Sequence, residues 1–439
     1  MSSTDPQEPL QDDSTLHNNV PGEPTRTHDP YRALRFRDFR LLFAGTFIAS
    51  VGEQMLNVAI GWELYERTGS ALALGFVGLV QVVPVILLSL PAGYLADRFN
   101  RRRIVIVTLL GIVLASLGLT VLSYTHGALM LIYGCLLLSG IAVAFNGPAS
   151  TTILPQTVPE DVYSSAAMWS SSSWQLASVL GPAFGGLVIA LSGGAALVYL
   201  LNAGACLAFV VLIVQLRGKQ RVVPVEERAT SFASLLDGVN FLRRSQVILA
   251  AITLDLFAVL LGGATTLLPI FARDILHVGP VGLGWLRAAP SVGAVCVAFC
   301  IAYLPPFKRA GVALLLAVAG FGVATVVFGL SHSFWLSLLM LVCLGGLDNI
   351  SVVIRETLFL LRSPEAMRGR IYAVNNIFIS ASNQLGGFES GLTAQFFGPV
   401  ILVVGGGIGT VLVVLLVALF SAEMRRLGPL LPERTPPEK

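Results

Sequence analysis

Charged side chains are scarce in this sequence. Of its 439 residues, 12% are Asp, Glu, Lys or Arg, whereas 55% are hydrophobic. A soluble domain carries roughly a quarter charged residues, so this chain has too little polar surface to cover a water-facing globule. The composition excludes a long soluble enzyme and points to a protein that lies within a lipid bilayer.

Motifs for phosphate, metal and covalent chemistry are also missing. The only Gly-Lys pair, Gly218-Lys219, is followed by glutamine, so no ATP-binding P-loop is present. The sequence contains no H-E-x-x-H and no G-x-S-x-G motif, and its five histidines fall outside the apolar runs. The five cysteines lack metal-ligand spacing and read as reduced thiols. We therefore expect no enzymatic activity, no metal, no cofactor and no nucleic-acid partner.

Long apolar runs separated by short polar breaks fill the chain from Arg40 onward. A membrane-spanning helix needs about 20 apolar residues. We predict an all-α membrane protein with twelve transmembrane helices. Their approximate ranges are 41–62, 72–95, 104–124, 128–149, 165–190, 196–216, 247–271, 281–303, 310–330, 334–354, 371–396 and 400–421.

Basic residues are distributed unevenly among the loops. The two tails and the loops after even-numbered helices hold 25 of the 28 Lys and Arg residues. The other loops hold only Arg67 and Arg273, and Arg287 falls inside a predicted span. Because cytoplasmic loops carry the excess of Lys and Arg, both termini are expected in the cytoplasm.

The sequence also repeats itself weakly after about half its length. Pro84 in helix 2 falls opposite Pro290 in helix 8, and Gly181 in helix 5 falls opposite Gly386 in helix 11. Two six-helix pseudo-repeats around a midplane site are an architecture of transporters. We predict a disordered cytoplasmic tail, a six-helix half, a cytoplasmic linker, a second half and a cytoplasmic tail, at 1–37, 38–216, 217–246, 247–424 and 425–439.

The loop between helices 2 and 3 reads G-Y-L-A-D-R-F-N-R-R-R from Gly93 to Arg103. It resembles the signature loop of the major facilitator superfamily, G-x-L-a-D-R-x-G-R-r. The resemblance implies a latch on the inner side, with Asp97 as its acid, Arg101 as its partner and Gly93 as a close-packing residue. Asn100 replaces the usual glycine, and asparagine tolerates the left-handed backbone that such a turn needs.

Helix 5 contains Gly181-Pro182-Ala-Phe-Gly185-Gly186. This segment is similar to the antiporter motif of the same superfamily, G-x-x-x-G-P-x-x-G-G, with Ala177 in place of the first glycine. Ordinary tight helix packing explains it equally well. Helices 10 and 11, with Asp348-Asn349, Arg368-Gly369-Arg370 and Asn375-Asn376, look like the branch of the superfamily that contains the enterobactin exporter and the macrolide efflux pumps. The helix 4 arginine of many drug–proton antiporters is absent.

Helix 1 carries an embedded acid. Glu53 shares one helical face with Thr46, Ser50 and Asn57, at spacings of three and four residues. A charge in mid-membrane costs roughly 2.5–3.5 kcal/mol, so it calls for a partner or a function. A polar stripe on an apolar helix predicts either a wet cavity or a helix–helix hydrogen-bond network.

Other embedded polar residues are candidates for the same cavity or for a gate. Asp255 in helix 7 is the second candidate acid for coupling, and Arg287 in helix 8 is expected to pair with a carboxylate or to bind an anionic substrate. Asp348 and Arg355 share a face of helix 10, where we predict an inner gate. On helix 11, a polar face includes the cavity candidates Asn376 and Asn383.

The resemblance and the polar stripes together favour a secondary transporter of the cytoplasmic (inner) membrane. We expect a monomer that exports small amphiphilic molecules by alternating access, coupled to protons. The alternatives are an importer of a nutrient or lysophospholipid with the same fold, and a membrane receptor or scaffold that does not transport.

The arginine distribution makes a prediction about topology. Reporter fusions at Thr125, Gly193, His277 and His332 should report the outside, and fusions at Asn100, Thr230, Phe307 and Ala366 should report the cytoplasm. A consistent reversal of these signals would contradict the orientation, and an odd number of spans would contradict the fold.

Overall fold

A computed structural model describes residues 31–217, 246–304, 307–363 and 368–428. Within these ranges the chain is helical and contains no β-strand. The long helices are α1 (Arg37–Thr68), α2 (Ala71–Arg98), α3 (Arg101–Tyr124), α4 (Leu129–Thr151), α5 (Tyr163–Ser192), α6 (Ala196–Val214), α7 (Gln246–Leu261), α8 (Gly279–Tyr303), α9 (Ala310–Leu330), α10 (Phe334–Arg362), α11 (Arg368–Phe397) and α12 (Pro399–Phe420).

The apolar runs of the sequence account for these helices. Ten helices in the described ranges are long and apolar enough to cross a membrane, and α7 is a shorter apolar helix. This agrees with the prediction of an all-α membrane protein. The predicted tail at 1–30, the linker at 218–245 and the end of the chain at 429–439 lie outside the described residues.

Helix 7 is interrupted, which corrects the single span predicted at 247–271. The helix α7 ends at Leu261 and is followed by Gly262 and Gly263. A short helical turn at Leu268–Ile270 and a π-helical turn at Phe271–Ile275 come next. Paired glycines weaken a helix, and Pro269 in the turn at Leu268–Ile270 cannot donate a backbone hydrogen bond, so the continuous apolar run does not form one helix.

A short helix precedes α1 in the described chain. Arg32–Arg35 form a 3-10 helix with Ala33 fully buried. The Arg32 side chain pairs with Asp161, and the Tyr31 ring lies 5.9 Å from the ring of Trp169. These contacts hold the segment against the start of α5.

The turn before α3 also differs from expectation. Asn100 has φ of −63° rather than a left-handed conformation, and its side chain accepts a hydrogen bond from the backbone N–H of Arg103. Asparagine is among the preferred N-cap residues because its side-chain oxygen satisfies a free donor of the first turn. Asn100 therefore acts here as a helix cap.

The helices pack in a recurring pattern. Among the first six, α1 packs on α5 and α6, α2 on α4, and α3 on α4 and α6. Among the last six, α7 packs on α11 and α12, α8 on α10, and α9 on α10 and α12. Each of these contacts in the α1–α6 group thus has a counterpart six helices later in the α7–α12 group.

Glycines lie at equivalent places in this pattern. A Cβ on Gly140 of α4 would lie 2.9 Å from the Gln81 carbonyl oxygen of α2, and Gly345 of α10 meets the Pro290 backbone of α8 in the same way. Each of these pairs brings a helix backbone against its neighbour, which only a residue without a side chain allows. The Gly181–Gly386 pair is also equivalent, because Gly181 packs on α1 and Gly386 packs on α7, and each of these is the first helix of its own group.

The two groups meet through α5 with α8 and α2 with α11. A Cβ on Gly186 of α5 would lie 3.0 Å from the Cα of Gly284, and one on Gly391 of α11 would lie 2.7 Å from the Cα of Gly75. Both crossings lie near the end of the bundle where α1 leads into α2 and where α8 begins. We refer to this end, residues 65–75 with 271–284 and 388–395, as the closed end.

The glycine contacts predict a difference between two substitutions in α4. Gly140→Ala should lower the apparent melting temperature of the purified protein in detergent, because overpacking against the α2 backbone costs about 1–3 kcal/mol. Gly134→Ala is the matched control on the same helix, since no described atom lies within 4 Å of its Cβ position. The control should be neutral or more stable, because alanine favours helix by about 1 kcal/mol over glycine. Equal effects of the two changes would contradict the packing.

Candidate functional site

A cavity of about 1050 Å³ lies within the bundle. Its walls come from α1 to α6, and α11 contributes Asn383 and Gln384. The helix α1 supplies Thr46, Ser50, Glu53 and Asn57, the four residues of the polar stripe in the sequence. The structure thus brings the polar face of α1 to the wall of one large space.

Glu53 is the exceptional residue of this cavity. Among the described residues that line it, Glu53 alone carries a charge. Its side chain is accessible from the cavity, and no described basic side chain forms an ion pair with it. An unpaired carboxylate is expensive in an apolar bundle, so the cavity has to supply water, a proton or a ligand.

Neutral amides and aromatic rings form much of the remaining wall. The amides come from five helices, and the aromatic residues come from α1, α5 and α6. They are Asn57, Gln81, Asn146, Asn202, Asn383 and Gln384, with Phe39, Phe43, Trp174 and Phe209. Trp174 is 51% exposed, so its indole faces open space. Sequence reasoning missed Asn146, Asn202 and Trp174, although an amide inside an apolar run signals a polar contact.

The second candidate acid lies elsewhere. Asp255 of α7 forms an ion pair with Arg355 of α10, and both side chains are largely buried. Asp255 also borders a void of about 10 Å³ with Asn375 and Ser382, which is close to the size of one water molecule. The large cavity does not include Asp255 among its described lining residues.

The contacts of Asp348 and Arg355 therefore differ from those of the gate predicted on α10. Arg355 pairs with Asp255 on the neighbouring helix, and no described residue forms an ion pair with Asp348. The spacing of residues along one helix predicts which of them share a face. It does not predict the partner from another helix, which for Arg355 is the Asp255 carboxylate of α7. The pair ties α7 to α10 within the α7–α12 group.

Arg287 on α8 has no carboxylate partner among the described residues. Its guanidinium donates a hydrogen bond to the carbonyl oxygen of Thr265, at 3.0 Å. It is absent from the described lining of the large cavity. On α11, Asn383 lines the cavity and donates to the Ile379 carbonyl oxygen at 3.0 Å, whereas the side chain of Asn376 lies outside the described part of the chain.

The signature loop lies at the end opposite the closed end. The side chain of Asp97 is outside the described part of the structure. The Arg101 Nε donates to the Ala96 carbonyl oxygen at 3.4 Å. A Cβ on Gly93 would meet no described atom within 4 Å, so the close packing implied for this glycine is not seen here.

A cross-group clamp holds the closed end. The Tyr65 hydroxyl, near the end of α1, donates to the Asp274 carboxylate in the turn before α8. Arg273 donates to the carbonyl oxygens of Tyr65 and Glu66, at 3.1 and 3.4 Å. The hydroxyl of Ser70 donates to the Gln395 side chain of α11 at 3.0 Å. These contacts join the α1–α6 group to the α7–α12 group at this end.

The comparisons with known proteins agree with this architecture. Residues 28–428 match the family model described as transmembrane secretion effector, within the major facilitator superfamily. The chain belongs to this family. It is a membrane transporter and not an enzyme, and the prediction of a multi-pass protein of the cytoplasmic (inner) membrane agrees with this membership.

Curated relatives extend over nearly the whole chain. The enterobactin exporter EntS of Shigella boydii serotype 18 is 27% identical over 402 residues, which cover 91% of this chain and 94% of the exporter. The enterobactin exporter EntS of Citrobacter koseri is 28% identical over 390 residues, which cover 88% of this chain and 92% of that protein. The predicted resemblance to this branch of the superfamily is confirmed.

Solved structures share the fold. A bacterial homologue of the human lysosomal transporter Spinster, in an inward-facing and occupied conformation, has a TM-score of 0.66 and 15% identity. The similarity covers 90% of this chain and 96% of that one. A POT family transporter in complex with 5-aminolevulinic acid has a TM-score of 0.70 and 13% identity, with coverage of 89% and 97%.

The buried Asp255–Arg355 pair predicts strong coupling between two substitutions. Arg355→Met or Asp255→Leu alone leaves a buried charge without its partner, which should destabilise the protein by about 3–5 kcal/mol. The double variant replaces both charges with apolar groups and should recover most of that loss. Denaturation of all four proteins in detergent measures the coupling, and costs that simply add would contradict a direct ion pair.

Proposed function

We propose that this protein is a proton-coupled exporter of small amphiphilic molecules that works by alternating access. In this proposal twelve helices span the membrane in two six-helix halves, and both termini face the cytoplasm. The observation that carries the proposal is the unpaired carboxylate of Glu53 on a cavity closed by cross-group contacts at one end. Export as the direction is supported by the names of the curated relatives.

The contacts between the halves suggest how access alternates. The clamp and the two glycine crossings close the end that the arginine distribution assigns to the outside. In the state described here, substrate enters the cavity from the cytoplasmic end. The halves then rock about the bound substrate, the clamp opens, and the cytoplasmic end closes.

The signature loop is suited to stabilise the state in which the clamp is open and the cytoplasmic end is closed. We expect Asp97 and Arg101 to latch the cytoplasmic end, with Gly93 allowing close approach once the halves meet there. The open surroundings of Gly93 support this assignment, because a packing glycine without neighbours belongs to another conformation. Asp348, at the cytoplasmic part of α10, is a further candidate for a contact that stabilises the state with a closed cytoplasmic end.

Coupling is assigned to Glu53, with Asn57 and Asn383 as neighbouring polar groups of the cavity. Asp255 is engaged by Arg355, and the histidines lie outside the apolar runs. Glu53 is consequently the acid best placed to take up a proton from one side and release it to the other. Arg287 is assigned to support of the backbone at Thr265 rather than to coupling.

The importer and the non-transporting receptor remain the alternatives to this proposal. A receptor or scaffold does not require an unpaired acid on a large internal cavity, so the position of Glu53 supports a transporter. An importer would use the same cavity, and it differs from an exporter only in the direction of net flux against the gradient.

The proposal predicts that Glu53→Gln uncouples transport. Glutamine keeps the size and polarity of the side chain but cannot exchange a proton, so binding should persist while proton movement stops. The measurement is the pH change inside proteoliposomes on addition of macrolide drugs or catecholate siderophores. Glu423→Gln, at an exposed acid in the short helix after α12, is the control and should behave as the unmodified protein.

Two results would contradict the proposal. Proton movement by Glu53→Gln at the unmodified rate would remove Glu53 from coupling. Substrate-dependent flux in the unmodified protein without any proton movement would contradict proton coupling itself.

A further inference from the structure

The charges around the cavity indicate what kind of molecule it accepts. We propose that the substrate is an amphiphilic organic cation and that Glu53 selects its positive charge. This inference rests on the proposed transport function and narrows the substrate class of the same cavity. Two observations support it: the charge of the cavity wall, which has one acidic and no basic residue among its described lining residues, and the aromatic surface of the same wall.

The charge balance is one-sided. Glu53 is the only charged residue among the described residues of the lining, and no described Lys or Arg faces the cavity. The two basic side chains within neighbouring spans are engaged elsewhere, since Arg287 binds the Thr265 carbonyl oxygen and Arg355 pairs with Asp255. An anionic ligand would therefore bring a second negative charge beside Glu53 without any compensating cation.

A cationic ligand has the opposite effect. Its charge would compensate the carboxylate at the protein wall, where the effective dielectric is below that of bulk water. An ion pair in such surroundings is favourable only if both charges find a partner, and here the ligand itself is the missing partner of Glu53. The lack of an ion-pair partner for Glu53 among the described residues is consistent with this role.

The rest of the wall suits the remainder of such a ligand. Phe43 and Trp174 offer accessible aromatic surface, which packs on apolar groups and attracts cations through the ring quadrupole. The volume of about 1050 Å³ is at the upper end of the range for pockets that hold drug-sized molecules. A bulky apolar body with one positive charge fits both features.

The amides of the wall do not oppose this selection. Each Asn and Gln side chain offers both donors and an acceptor, so these groups hydrogen-bond ligands of either charge. Glu53 consequently selects the sign of the ligand's charge, while the amides contribute to the orientation of the bound ligand. The discrimination should depend on one carboxylate and disappear when it is neutralised.

Tetraphenylphosphonium and tetraphenylborate provide the test, because they share an apolar shell and differ in charge. Binding of each to the full-length protein in detergent is measured by equilibrium dialysis, with protein-free micelles as the baseline. Quenching of Trp174 fluorescence, absent in Trp174→Phe, reports occupancy of the cavity. We expect the phosphonium to bind at least about tenfold more tightly than the borate, because one carboxylate attracts it and repels the other.

Substitutions at Glu53 should change this ratio in a defined way. Glu53→Gln should weaken binding of the phosphonium about tenfold and leave binding of the borate unchanged or stronger. Glu53→Asp keeps the charge and should keep the preference, and Glu423→Gln, outside the cavity and the clamp, should leave binding of both ligands unchanged. Circular dichroism and the melting temperature identify any variant that fails to fold. If Glu53→Gln does not fold, the ratio of phosphonium to borate binding is compared between Glu53→Asp and the unmodified protein.

The outcomes separate this inference from the proposed function. Equal binding of the two ions, or an unchanged ratio in Glu53→Gln, would overturn the selection of cations even if proton-coupled flux of another amphiphile is observed. A strong preference for the phosphonium without any proton-coupled flux would support the selection of cations and would instead contradict the proposed transport.

Discussion

The close approach of helix backbones at the closed end is the constraint on which the cavity depends. Gly186 and Gly284 let α5 and α8 touch, and Gly75 and Gly391 let α2 and α11 touch. Both crossings lie near the same end, so the contacts that these glycines allow hold the two groups together there. The cavity is lined by α1 to α6 together with Asn383 and Gln384 of α11, so the close contact of α2 with α11 helps to place these two residues on the wall that carries Glu53.

Arginines complete the ends of helices in this bundle. Arg67 donates to the Leu122 and Ser123 carbonyl oxygens at the end of α3, and Arg102 donates to the Leu216 carbonyl oxygen after α6. Arg273 does the same for α1, but it belongs to the other group of helices. The last carbonyls of a helix lack internal partners and carry partial negative charge, so a cation there is favourable. This explains why Arg67 and Arg273 occur on the side that is otherwise poor in basic residues.

The sequence was sufficient to predict the helices and the polar face of α1, because apolar run length and helical periodicity are local properties. It was not sufficient to predict which charges meet. The pairing of Asp255 with Arg355 depends on the packing of α7 against α10, and the face shared with Asp348 carried no information about a neighbouring helix. The break after Leu261 was also missed, because average hydropathy does not register paired glycines within an apolar run.

The contrast between the two embedded acids links charge selection to coupling. Asp255 is neutralised by Arg355 within the protein, so neither a proton nor a ligand is needed to stabilise it. Glu53 has no such partner among the described residues, so water, a proton or a ligand has to stabilise its charge. A proton and an organic cation would compete for the same carboxylate, because each satisfies the same single charge. Binding of one would then release the other, which produces exchange without a second coupling site.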